Sequence, residues 1–209
     1  MSTNGHRDGA GSGERDPRIV GLMIVAGMVA VMWVLEIIDQ VGDLDLDKYG
    51  IISRDVDGLD GIVFSPFLHA GFGHLTSNTL PFLVLGAVIA LAGALRVVQV
   101  TLIVGLVGGV GTWLISPGNT ITVGASGLVF GYAAYLLARG IFSRHVLEIA
   151  VGAVVAVVFG GSLLAGLAPN DNGVSWQGHL CGAIGGVIAA YILNQSRRAT
   201  SDDARATPA

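Results

Sequence analysis

The chain has 209 residues, 52% of them hydrophobic and only 12% charged, with 32 glycines and a mean hydropathy of +0.70. Soluble domains carry roughly 25% charged residues, so this composition cannot clothe a water-facing globule, and its hydrophobicity also excludes a disordered chain. The net charge of −4 comes with no basic face for a nucleic acid, and the single Cys181 excludes a disulfide framework or a cysteine-built metal site. What remains is an integral membrane protein.

In chain order, residues 1–18 are rich in Gly, Ser and charge and are expected to form a flexible tail. Beyond the first apolar stretch, Gly61–Leu95, Val97–Ala138, Ile149–Asn170 and Asn172–Ser196 contain no Asp, Glu, Lys or Arg. A helix needs about 20 apolar residues to cross the hydrocarbon core. Cutting these runs at polar or helix-breaking points predicts six helices: Ile19–Ile38, His74–Ala94, Val97–Ile115, Ala125–Ile141, Val146–Leu167 and Gly178–Asn194. The fourth and sixth are short and are expected to be sheltered by their neighbours. The first lacks a small-residue cleavage site and reads as a retained helix rather than a signal peptide. Residues 195–209 form a second expected tail. No long repeat is evident, so residues 19–194 read as one all-α polytopic domain.

Positive charge sets the expected orientation. Arg7, Arg15, Arg18, Arg96, Arg139, Arg144, Arg197, Arg198 and Arg205 all fall on one side of an even-numbered bundle, against Lys48 and Arg54 on the other. Both termini are therefore expected to be cytoplasmic. The first loop gathers Asp39, Asp43, Asp45, Asp47, Asp55, Asp57 and Asp60 on the far side.

Three polar clusters interrupt the apolar runs, where polar groups are expensive and mark function. His69-Ala-Gly-Phe-Gly-His74 opens the second helix, with Asn78 on the same face as His74. Gly124-Ala125-Ser126-Gly127 opens the fourth, and Gly178-His179-Leu-Cys-Gly182 opens the sixth. Even-numbered helices start from the outer side, so His74, Asn78, Ser126 and His179 are expected at one shallow depth.

A serine hydroxyl becomes a nucleophile when a neighbouring base takes its proton, and histidine is the usual base. His179 and His74 are both candidates for that role. With Asp171 the nearest carboxylate, in the loop before the sixth helix, a dyad fits better than a triad. The Asn78 amide, a His74 N–H and the Ser126 backbone N–H are candidate donors to an oxyanion. Gly127-x-x-x-Gly131 and Gly178-x-x-x-Gly182-x-x-x-Gly186 are expected to form the seam that brings Ser126 and His179 together.

Taken singly, each feature has a plainer explanation. A serine at a helix start is usually an N-cap, and a lone membrane histidine usually bonds a neighbouring helix or binds a ligand. His69 reads as loop scaffolding, His145 as a residue at a helix start, Cys181 as packing and Ser162 as bonded to its own backbone. It is the combination at matching depth that chance does not explain.

The ordered set His74-x-x-x-Asn78, Gly124-Ala125-Ser126-Gly127 and His179-x-x-Gly182 with Gly186 resembles the rhomboid family of intramembrane serine proteases, across residues 19–194. The resemblance implies a six-helix bundle in which Ser126 is the nucleophile and His179 the general base, then acid. It implies that His74, Asn78 and the Ser126 amide stabilise the oxyanion, with Gly124, Gly127, Gly182 and Gly186 in support. Phe130 matches the aromatic position that stacks on the histidine, where many relatives carry Tyr. The fifth helix and the Ala168–Gln177 loop would gate and cap the site. The implied partners are transmembrane protein substrates and the bilayer, with no cofactor and no metal. One departure is plain: the first loop is Asp-rich, has Lys48-Tyr49 and Ser65-Pro66-Phe67, and lacks the Trp-Arg pair of many bacterial relatives.

The expected function is therefore an intramembrane serine endopeptidase cutting transmembrane segments near the outer face. The alternatives are a silent rhomboid-like protein that binds transmembrane clients, and a small transporter or channel. The transporter reading calls for broken helices at mid-membrane and internal pseudo-symmetry, and neither is evident. Asp8, Glu14 and Asp16 do not fit an acid-poor mitochondrial leader, so a prokaryotic cell membrane is the expected location.

Overall fold

The computed structural model describes residues 15–169 and 173–206. Helix α1 (Pro17–Gly42) starts at Asp16, whose carboxylate accepts the Arg18 N–H at 2.8 Å, with Pro17 in the first turn. Gly21, Val25, Val29, Met32, Glu36 and Asp39 recur at helical spacing and form its buried stripe. A short helix α2 (Gly61–Phe64) lies in the first loop, followed by α3 (Phe72–Ala90) and α4 (Ala94–Ile115). Then come α5 (Ser126–Ser143), α6 (Val146–Leu167) and α7 (Trp176–Ala206).

Several helix ends differ from the sequence reading. The second long helix begins at Phe72 and ends at Ala90 rather than spanning His74–Ala94. Gly93, at φ +96°, turns the chain so that Ala94 already opens α4. The first helix extends to Gly42, the fourth starts at Ser126, and the sixth continues through Ala206, well past Asn194. The fold is also not purely helical. Strands β1 (Ile51–Ile52) and β2 (Ile121–Thr122) pair antiparallel, Ile51 opposite Thr122 and Ile52 opposite Ile121. Periodicity cannot reveal a two-residue ladder, because two residues carry no period.

By length and composition, α1, α3, α4, α6 and the Trp176–Ser196 part of α7 are able to cross a membrane. Helix α5, with 18 residues and Arg139 among them, falls outside that set. It is instead the helix the others wrap, packing against α3, α4, α6 and α7. Tyr132, Ala133 and Tyr135 on α5 are fully buried with Leu75, Phe82, Leu85 and Val100 from α3 and α4. The outward faces remain apolar: Leu102 is 65% exposed, Leu164 74% and Val157 85%. A surface of this kind is stable in hydrocarbon and not in water. Among the described residues, these features make the chain a multi-pass membrane protein.

Helix α7 is seated by glycines. A methyl group at Gly182 would fall onto the Gly127 carbonyl, and one at Gly186 onto the Gly131 carbonyl. The two backbones are therefore in direct contact along one seam. The first loop is stitched to the α4–α5 connection by polar bonds. Arg54 Nη2 donates to the Ser116 carbonyl at 2.7 Å, Trp113 Nε1 to the Asp55 carbonyl at 2.8 Å, and the Ser53 N–H to the Thr120 carbonyl at 3.0 Å.

Candidate active site

Ser126 is the first residue of α5, so its backbone N–H has no acceptor inside the helix. Three restraints fix the turn before it. Strand β2 is held by β1, the Gly124 N–H donates to the Ser65 carbonyl at 2.8 Å, and the Ala125 N–H donates to His69 Nε2 at 3.3 Å. Gly124 has φ +113°, and a Cβ there would lie 2.6 Å from Cε1 of the His74 ring. Backbone conformation and contact both demand glycine.

His69 therefore does more than fill a loop. It is 2% exposed, sits edge-on to His74 with ring centroids 5.1 Å apart, and latches the turn that presents Ser126. Burial first, and then His74 beside it, hold its pKa down at about 4. Its ring is thus neutral at physiological pH, as an acceptor for the Ala125 N–H must be. On the loop facing the site, burial and then the neighbouring Asp39 and Asp45 push the Asp47 carboxyl up.

The seam of α5 and α7 brings His179 Nε2 to 2.9 Å from Ser126 Oγ. His179 Nδ1 lies 2.8 Å from the carbonyl of Gly166, near the C-terminal end of α6. A carbonyl can only accept, so in the neutral ring Nδ1 carries the proton and donates it to Gly166. Nε2 is left as the acceptor for the Ser126 hydroxyl. Phe130, one turn after Ser126, stacks on the imidazole with centroids 4.0 Å apart and planes 6° from parallel. The ring of His179 is thus held on its edge by Gly166, on its face by Phe130, and aimed at Ser126.

A cavity of about 780 Å³ opens over this pair. His74, Asn78, Gly124, Ser126, Gly127 and His179 line it, with Asp45, Asp47 and Lys48 of the first loop also on its wall. His74 Nδ1 accepts the Ala70 N–H at 3.4 Å, which leaves its Nε2–H as a donor beside Gly124. Asn78 Nδ2 donates one hydrogen to the His74 carbonyl at 3.0 Å and keeps a second. Three N–H groups, from His74, Asn78 and the Ser126 backbone, thus border the same cavity.

The remaining polar candidates lie apart from this group. Cys181 is buried with its sulfur against Gly111, Ser162 donates to the Phe159 carbonyl at 2.8 Å, and His145 is the residue preceding α6. Asp171 lies outside the described residues; among the described residues the partner of His179 Nδ1 is the Gly166 carbonyl. Among the described residues no group of three or more His, Cys, Asp or Glu is placed to hold a metal ion.

The family model described as the Rhomboid domain matches residues 58–196. The chain belongs to the rhomboid family. An uncharacterized protein of Mycobacterium tuberculosis is 46% identical over 86% of this chain and 78% of its own length. The rhomboid protease GluP of Bacillus subtilis is 32% identical over 60% of this chain and 24% of its own. Rhomboid-like protein 11 of Arabidopsis thaliana, a chloroplastic protein, is 29% identical over 67% of this chain and 54% of its own.

Sequence reasoning missed two residues of this candidate site. Gly166 acts through a backbone carbonyl, which no side-chain pattern encodes. His69 did carry a signal, as a histidine five residues before His74 on a charge-free segment, but its contact with Ala125 spans the fold and only the tertiary structure reveals it.

Proposed function

We propose that this chain is an intramembrane serine endopeptidase that cleaves transmembrane segments of other proteins. Ser126 attacks the scissile carbonyl while His179 Nε2 takes its proton, and the resulting imidazolium returns that proton to the leaving amine. The oxyanion of the tetrahedral intermediate sits among the Ser126 N–H, the His74 Nε2–H and the free Asn78 N–H. The observation that carries this reading is the 2.9 Å contact between Ser126 Oγ and His179 Nε2, with Nδ1 already committed to a carbonyl. That arrangement makes Nε2 a base rather than a donor.

In this reading α5 is the sixth span, sheltered inside the other five. Both termini lie on the cytoplasmic side with most of the arginines, and the dyad lies near the outer face of a prokaryotic cell membrane. The first loop, the cavity over Ser126 and the outer end of α6 then share that face. Water reaches Ser126 through the cavity, and a substrate segment reaches it from the lipid.

The test is cleavage of a model single-pass substrate by purified protein, with Ser126→Ala and His179→Ala alongside. Cleavage by the wild type, reduced at least about 1,000-fold in each variant, is the expected result. Cleavage that survives in Ser126→Ala would overturn the assignment. Binding of the segment with no cleavage by any form would point to a client-binding protein instead.

A further inference from the structure

We propose that the Gly166 carbonyl is the positioning group for His179, and that the seat of α6 thereby sets whether the base is competent. The proposal rests on the peptidase reading above and asks what holds its base in one tautomer.

Neutral imidazole has one N–H, and only the form bearing it on Nδ1 leaves Nε2 free to accept from Ser126. In a triad, a carboxylate enforces that form and stabilises the imidazolium. Here the atom in that place is the Gly166 oxygen, 2.8 Å from Nδ1. Phe130 fixes the plane of the ring by stacking, but a ring face offers no acceptor along the edge that distinguishes the two tautomers. Among the described residues it is the carbonyl that makes that distinction. It also favours the imidazolium formed when Ser126 gives up its proton.

Where Gly166 sits matters as much as what it offers. The inner half of α6 is firmly docked. A Cβ at Gly140 would lie 2.8 Å from the Glu148 carbonyl, Gly152 packs on the backbone of Leu136 and Leu137, and Arg139 pairs with Glu148 at 2.7 Å. The outer half is not. The buried residues of α6 are Gly152 and Val155, and both Gly160 and Gly161 face open space. Beyond them the helix rests on the body through Phe159, Leu163 and Gly166. At Gly166 the fit is so close that a Cβ would lie 2.5 Å from Phe130 Cζ and 3.0 Å from His179 Nδ1. Any outward swing of this end withdraws the acceptor from Nδ1. The helix that is least held is therefore the one that completes the base, and His179 regains its working tautomer only when α6 is seated.

The experiment uses the full chain, labelled with [15N]histidine in detergent micelles, with His179→Ala to assign the ring signals. The wild type is expected to show Nδ1 protonated and Nε2 bare. Gly166→Ala, which pushes α6 off the ring, is expected to give mixed tautomers. It should also lower kcat on a short fluorogenic peptide about 10- to 100-fold at unchanged KM, while Gly161→Ala leaves both unchanged. Leu163→Ala loosens the same end without a clash and should move both readouts the same way, about 3- to 10-fold in kcat. It serves if Gly166→Ala does not accumulate. A wild type with Nε2 protonated would overturn the proposal. So would variants that keep a single Nδ1–H tautomer, or that mix tautomers with kcat unchanged. If the wild type shows no Ser126-dependent cleavage, the peptidase reading fails, and the tautomer spectra still decide whether Gly166 orients the ring.

Discussion

Helices α6 and α7 both contact one imidazole, and they are built in opposite ways. Half of the most apolar window of α7 is buried inside the protein, against 11% for α6. Helix α7 lies backbone to backbone on α5, with Gly182 on the Gly127 carbonyl and Gly186 on that of Gly131. Over its C-terminal half α6 leans on a few side chains and one glycine, with Val157 and Val158 turned away from the protein body. The difference separates two tasks. A glycine seam fixes the backbones that carry Ser126 and His179 against each other, and in the proposed reading it thereby sets the distance for proton transfer. In that reading a lightly seated helix supplies a contact that can be made and broken.

The sharpest way to break the comparison is to damage the seam. Gly186→Leu and Gly182→Val each drive a side chain into a carbonyl oxygen of α5. Overpacking of this kind costs about 1–3 kcal/mol or more, and α7 can relieve it only by withdrawing, which takes His179 from Ser126. Thermal unfolding in micelles should fall by several degrees, and cleavage by at least about 100-fold. Near-wild-type cleavage in either variant would show that the seam does not set the distance.

His69 tests the fixed side through pH. Its pKa is about 4 in the folded protein, against about 6.5 for an unperturbed histidine. The native state therefore binds fewer protons than the unfolded state between these values. The stabilising contribution is complete above about pH 6.5 and is lost as pH falls toward 4, at up to about 1.4 kcal/mol per pH unit. A protonated Nε2 would also face the Ala125 N–H donor to donor and release the turn before Ser126. His69→Gln, which offers an oxygen acceptor and no titration, should flatten the slope of stability against pH over that window. An unchanged slope would mean that other groups carry the acid sensitivity.

Phe130 belongs to both sides, since it stacks on His179 and meets Gly166. Aromatic stacking contributes about 0.5–1.5 kcal/mol beyond burial. Phe130→Leu should therefore lower kcat about 3- to 10-fold with a modest loss of thermal stability. A loss as large as that of Ser126→Ala would mean that the ring fixes the base without help from α6.

The two regions were also unequally legible in the sequence. Charge-free runs marked the helices, and His74, Asn78, Ser126 and His179 stood out because polar groups in apolar runs demand a reason. The glycine spacing on α5 and α7 was readable because close helix contact requires small residues at that interval. What could not be read is everything that acts through backbone or through long-range contact. The Gly166 carbonyl carries no residue code, and the bond between His69 and Ala125 joins segments 56 positions apart. The β1–β2 ladder is too short for any pattern. The first loop lacks the Trp-Arg pair, yet Arg54, Trp113 and Ser53 tie it down through backbone carbonyls, which many different residues can do.

The smallest effect should come from the loose helix itself. Gly160 and Gly161 sit next to Ser162, where α6 passes from its docked half to its free half, and a methyl group added at either would meet nothing within 4 Å. Paired small residues of this kind are where helices bend. Alanine at both positions meets no obstacle and favours the helical backbone by about 0.5–1 kcal/mol per site, so thermal stability should hold or rise slightly. The distance from His179 to Ser126 is set on α7 and should not change, which leaves cleavage of a short peptide as it was. In the proposed reading a transmembrane segment passes the C-terminal end of α6, and it should be cut about 2- to 5-fold more slowly by the stiffer helix. Equal rates on both substrates would show that α6 need not bend to admit one. Slowing on both would place the bend in the working geometry of the base, and α6 would then be as much a fixed part of the site as α7.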